Sequence, residues 1–165
     1  MPPHGRWHAL PFPLLAPEGI LSEAPGKRLE QAIDHAYEGD GLIGACSDTA
    51  CVLTGIDCGT VLLSVHLTSA DPGPDPGPWE ETEETDLAAP SGDLRCNTLA
   101  GNDRHHPQEP YETNLAHTGP GTYRLRLHAR GRDTNPDGVH EQDEPVTEHY
   151  HLQIWPTHTA PQPRR

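Results

Sequence analysis

The side chains best suited to chemistry in this 165-residue chain are its twelve histidines and four cysteines. His149 and His151 stand two apart in a stretch that alternates apolar and polar residues, so both imidazoles project from one face of a strand. Two such rings make half of a transition-metal site, and His128 or His66 would have to supply a third ligand. No H-E-x-x-H spacing accompanies them. Solvent-facing strand histidines are the simpler expectation. The alternative is a metal- or small-ligand-binding barrel, hydrolytic in its strongest form, built on His128, His149 and His151.

Cys46, Cys51 and Cys58 are spaced C-x4-C and C-x6-C, with Cys96 far off. Structural zinc takes two tight pairs, and only the first spacing qualifies. Reduced thiols packed as small apolar groups are expected instead. Gly39-Asp-Gly-Leu-Ile-Gly44 has G-x-G-x-x-G spacing but follows a predicted helix and opens a strand, the reverse of a dinucleotide-binding turn. It reads as a helix stop. No G-x-S-x-G or P-loop is present. No cofactor is expected, and the residues lean away from an enzyme.

Acids outnumber Lys plus Arg by 25 to 11, a formal charge of -14. Such a field disfavours direct contact with nucleic acid or an anionic membrane and favours a basic partner, or simply solubility. Eight acids and no Lys or Arg lie between Asp71 and Asp93. The run Trp79, Glu80, Glu81, Glu83, Glu84, Asp86 reads as a solvated strand edge. It is also the candidate partner-binding surface, because closely spaced carboxylates imitate the charge density of a phosphate backbone. Trp79 is its candidate anchor.

The elements that must position these groups are mostly strands. In Tyr123 to Arg130, Tyr123, Leu125, Leu127 and Ala129 share one face, and Arg124, Arg126, His128 and Arg130 the other. In Glu148 to Trp155, Tyr150, Leu152 and Ile154 oppose His149, His151 and Gln153. A period of two marks half-buried antiparallel strands. The arginine stripe is expected to ion-pair across the sheet with the Glu80–Glu84 run. Val61, Leu63, Val65 and Leu67 mark another strand, and 42–46, 50–54 and 93–99 are shorter ones. Leu29, Ile33, Ala36 and Tyr37 share one face of a helix over 27–38. Residues 71–78 are too rich in Pro to pair in a sheet.

With 19 Pro and 16 Gly, the pattern predicts a mainly β chain. The expected fold is an antiparallel β-sandwich or jelly-roll of about six to eight strands with one short helix. Residues 1–25 are expected to be irregular apart from one short strand around His8 to Leu15, with 26–156 forming the domain and 157–165 a disordered tail. No apolar h-region follows a basic start, and no stretch is long enough to span a bilayer, so a cytoplasmic protein is expected.

Three segments carry a resemblance: Gln31-Ala-Ile-Asp-His-Ala-Tyr-Glu-Gly-Asp-Gly-Leu-Ile43, Gly119-Pro-Gly-Thr-Tyr-Arg-Leu125 and Glu148-His-Tyr-His-Leu-Gln-Ile-Trp155, with the strand from Val61 to Leu67. Their order resembles the competence protein J family over residues 27–156, outside the Pro/Gly loop. The segment Gly121-Thr-Tyr-Arg-Leu-Arg-Leu-His-Ala-Arg-Gly-Arg-Asp133 with the closing strand is also similar to uncharacterised actinobacterial proteins. The resemblance implies a small β-rich protein that inhibits a DNA-entry nuclease by binding it. The long acidic and Pro-rich insertions depart from that compact pattern.

Overall fold

The computed structural model describes residues 5–14, 18–22, 29–56, 59–98, 114–139 and 144–157. Along the chain come β1 (Gly5–Leu14), β2 (Glu18–Ser22), α1 (Leu29–Glu38), β3 (Ile43–Cys46), β4 (Thr49–Leu53), β5 (Gly59–Leu67), β6 (Glu81–Ala89), β7 (Arg95–Thr98), β8 (Gly121–Arg130) and β9 (His149–Pro156). The chain is mainly β, as the alternating runs require. The strands form one sheet in the order β1-β5-β9-β8-β6 and a second in the order β3-β4-β2-β7.

The expectation of wholly antiparallel pairing needs correction, because β5 and β9 run parallel. β9 is inserted between β5 and β8, antiparallel to β8 and parallel to β5. Its residues Tyr150 to Trp155 are all buried, so this strand is covered on both faces, as central strands can be. In the stretch expected to be irregular apart from one short strand, β1 overlaps that strand and pairs with β5, and β2 adds a second between β4 and β7. β1, which carries Pro11 and Pro13, is an edge strand, the place in a sheet where proline is tolerated. Residues 158–165 lie outside the described set.

One core cluster draws on both sheets. Ile43, Ala50 and Cys96 come from the second sheet, and Val61, Val65, Leu87, Tyr123, Leu125, Leu127, Tyr150, Leu152 and Ile154 from the first. The apolar faces read from β8 and β9 are thus the core.

α1 packs on the second sheet through Ala32 and Ala36, against Cys51 and Leu53. Tyr37, expected on this apolar face, is instead 69% exposed. The reason lies in β3. A Cβ on Gly44 would collide with the Ala36 amide nitrogen and lie 2.6 Å from its Cα, so helix and strand meet at bare backbone. Such closeness suits the two alanines, and Tyr37, about 100° further round the helix, points away. Gly41, at φ +81°, ends the helix and donates its N–H to the Ala36 carbonyl at 3.0 Å.

Candidate functional site

The β6–β8 pairing divides the acidic run between two faces. Thr82, Glu84 and Asp86 stand opposite His128, Arg126 and Arg124. Arg124 Nε donates to Glu84 Oε1 and its Nη1 to Asp86 Oδ1, each at 3.0 Å. Arg126 Nε donates to Glu84 Oε2 at 3.0 Å. The cross-strand ion pairing expected of the arginine stripe is therefore present. Burial opposes ionisation of Glu84, but the two guanidinium bonds outweigh it and hold its carboxyl below its ordinary range.

Glu81 and Glu83 point to the opposite face and are structural. Glu83 accepts three backbone N–H groups, from Asp40 at 2.9 Å, Leu42 at 3.1 Å and Ile43 at 2.8 Å. It thereby stitches β6 to the turn between α1 and β3. Glu81 pairs with Arg132 at 2.6 Å. Glu80, before the strand, accepts the Gly131 N–H at 2.5 Å.

The polar face of β8 and β9 is not the solvent face that alternation predicts. Arg126, His128, His151 and Gln153 are all buried. Their cover is the loop 71–79. Asp71 takes both Nη groups of Arg126. The Gly73 carbonyl accepts from Gln153 Nε2 at 2.9 Å, and the Asp75 N–H donates to His128 Nε2 at 3.1 Å. His128 Nδ1 faces the His151 carbonyl at 3.1 Å. That pair of contacts needs the neutral ring, and burial lowers the His128 pKa accordingly.

Trp79 closes the loop over the sheet. Its indole stacks on His151 with ring centroids 5.9 Å apart, lies 5.6 Å from His128 and donates to Asp75 Oδ2 at 2.8 Å. The candidate anchor is thus engaged inside the chain.

These contacts bring together a line that sequence reasoning missed. Ser64 Oγ lies 2.6 Å from His151 Nδ1, and His151 Nε2 lies 3.7 Å from Asp75 Oδ1. The residue types are those of an acyl-transfer triad. However, 3.7 Å is beyond hydrogen-bond length, and His151 is fully buried beneath Trp79. The line serves to hold the loop down.

The histidine metal set also fails on geometry. Both ring nitrogens of His128 already meet protein groups, and among the described residues no group of three His, Cys, Asp or Glu could hold a metal ion. Cys96 is in the core, where burial pushes its thiol up to about 12. Cys46 donates to Gln31 at 3.1 Å, and Cys58 lies outside the described residues.

A second missed residue is Glu148, fully buried. It accepts the N–H groups of Gly55 at 2.9 Å and Ile56 at 2.6 Å and the Tyr150 hydroxyl at 2.5 Å. The carboxylate fixes the β4–β5 connection to β9. No helix among the described residues is long and apolar enough to cross a membrane.

No family profile and no curated protein matches the chain. Two solved structures share its fold along nearly the whole length. ComJ from Bacillus subtilis, an inhibitor of the DNA degrading activity of NucA, is 8% identical with a TM-score of 0.60, over 93% of this chain and 98% of its own. Crocagin biosynthetic gene J is 14% identical with a TM-score of 0.52, over 93% and 97%. At these identities the likeness is one of fold, and the fold of this chain is that of ComJ and of the crocagin J protein.

Proposed function

We propose that this chain is a non-enzymatic, acidic protein-binding module of the nuclease-inhibitor type, that it occludes a basic partner, and that its two sheets stack as a β-sandwich. The observation that carries this reading is the full-length likeness to ComJ in a chain of formal charge -14. A field of that sign steers a basic cleft toward the protein and speeds encounter.

The run Trp79–Asp86 takes part through its exposed members. Glu80, Glu84 and Asp86 keep exposed surface, whereas Trp79, Glu81 and Glu83 are spent on the fold. The test is complex formation with a NucA-type nuclease from the same genome, followed by size exclusion at moderate salt. A one-to-one complex supports the reading. Reversing Glu80 and Asp86 to Lys should weaken it, and unchanged binding would rule out the electrostatic mechanism.

A further inference from the structure

Five arginines have described side chains, and four of them pair with carboxylates. Arg95 meets Asp93, Arg124 meets Glu84 and Asp86, Arg126 meets Glu84 and Asp71, and Arg132 meets Glu81. Arg130, the last residue of β8, is the one left without a carboxylate among them. Its Nε is shut off from solvent and makes no hydrogen bond. A guanidinium N–H withdrawn from water without an acceptor is costly, and in a chain with so many acids a counter-ion was easy to supply.

The surroundings of Arg130 are built rather than loose. Its guanidinium lies over the Trp79 indole, 5.6 Å from the ring centroid. His149 stands opposite it on β9. Both line a cleft of about 380 Å³ with Pro78, Glu80, Gly131 and Thr147. That is room for a small ligand. The acid in the wall, Glu80, uses Oε1 on the Gly131 N–H and leaves Arg130 unpaired.

We infer that this cleft is a binding site for a carboxylate, with Arg130 as the cationic fork and Thr147 and His149 as flanking polar groups. A guanidinium matches a carboxylate in plane and charge. A phosphate, with its second negative charge, is disfavoured by Glu80 in the wall and by the acidity of the whole chain. Burial and the Arg130 charge keep His149 below its ordinary pKa, and a bound anion removes the second cause. The carboxylate belongs either to a free small acid or to the end or side chain of a peptide. The inference stands apart from the inhibitor reading.

The test is an NMR titration of the Arg130 Nε–H and His149 ring signals in the full chain. The probes are acetate, inorganic phosphate and a short peptide ending in Asp, with chloride holding ionic strength constant. Saturable shifts with acetate at millimolar concentration are expected, with phosphate about tenfold weaker or more. Tighter binding of the peptide than of acetate assigns the source to a protein, and equal binding assigns it to a small acid. Arg130→Gln should abolish the shifts. Glu80→Gln, which leaves Arg130 seated, should tighten acetate about threefold or more. Absence of saturation in the wild type, persistence of the His149 shift in Arg130→Gln, no tightening in Glu80→Gln, or phosphate binding as well as acetate would each overturn the assignment.

Discussion

Arg126 donates to both carboxylate oxygens of Asp71, Nη1 to Oδ1 at 3.0 Å and Nη2 to Oδ2 at 3.2 Å, and this fork ties the Pro/Gly loop across the outer face of β8 and β9. Arg126 is buried, its remaining hydrogen-bond partners are Glu84 and Gln153, and its guanidinium lies 4.8 Å from the Trp155 ring centroid. Asp71 itself is half exposed, so solvent screens much of the pair. Asp71→Asn is expected to cost about 1 kcal/mol of global stability. Its larger effect should be local, as faster amide exchange at Gly73, Asp75 and Gly77 at the edge of the same loop. Protection unchanged at these amides would show that the fork does not hold the loop.

The loop should also respond to acid. His128 accepts the Asp75 N–H at Nε2, and a proton there would replace an acceptor with a donor. Burial places its folded pKa below the ordinary 6.5. The unfolded chain therefore binds this proton first, and stability falls as pH drops below about 6.5 toward the folded value. His149 acts in the same direction. The depressed carboxyls of Asp71 and Glu84 act lower, below their ordinary 3.8 and 4.5. Urea unfolding followed from about pH 8 to 4 should show a first loss in the histidine range, smaller in His128→Gln. A flat profile down to the carboxylate range would contradict the neutral buried imidazole.

Glu83 offers a direct separation of structural from binding carboxylates. Its three backbone acceptor contacts hold the α1–β3 turn. Glu83→Ala is expected to destabilise by about 2 kcal/mol, with Glu83→Gln between it and the wild type, since an amide keeps one acceptor oxygen. Glu80→Ala, which loses one contact, should cost less than half as much. Chemical denaturation of the three variants decides the point.

At Gly44 the packing leaves no room for even a methyl group. The obstructing atoms are backbone, including the Ala32 carbonyl at 2.7 Å from the ideal Cβ position. Gly44→Ala is expected to cost about 3 kcal/mol or to displace α1 outright. Circular dichroism melts would register either. Wild-type stability would mean that helix and strand are less closely apposed.

Periodicity made the centre of this fold legible, because Tyr123, Leu125, Leu127, Tyr150, Leu152 and Ile154 face one core and alternate with charge. The pairing of Arg124 and Arg126 with β6 was legible for the same reason. The burial of the opposite face was not. Residues 71–78 read as a Pro/Gly loop outside the sheets, and no local pattern reveals that Asp71 and Trp79 reach back to Arg126 and His151. The parallel β5–β9 pair was hidden too, since alternation gives the faces of a strand but not its direction. The role of Glu148 was hidden because its partners, Gly55 and Ile56, are distant in sequence and donate through backbone.

The most direct test of the central claim is a DNA-degradation assay with a NucA-type nuclease from the same genome, titrated with this chain. The account predicts that degradation falls linearly to zero near one equivalent, and that inhibition weakens with rising salt and in the Glu80→Lys, Asp86→Lys variant. Full nuclease activity in the presence of excess folded chain at low salt would contradict it.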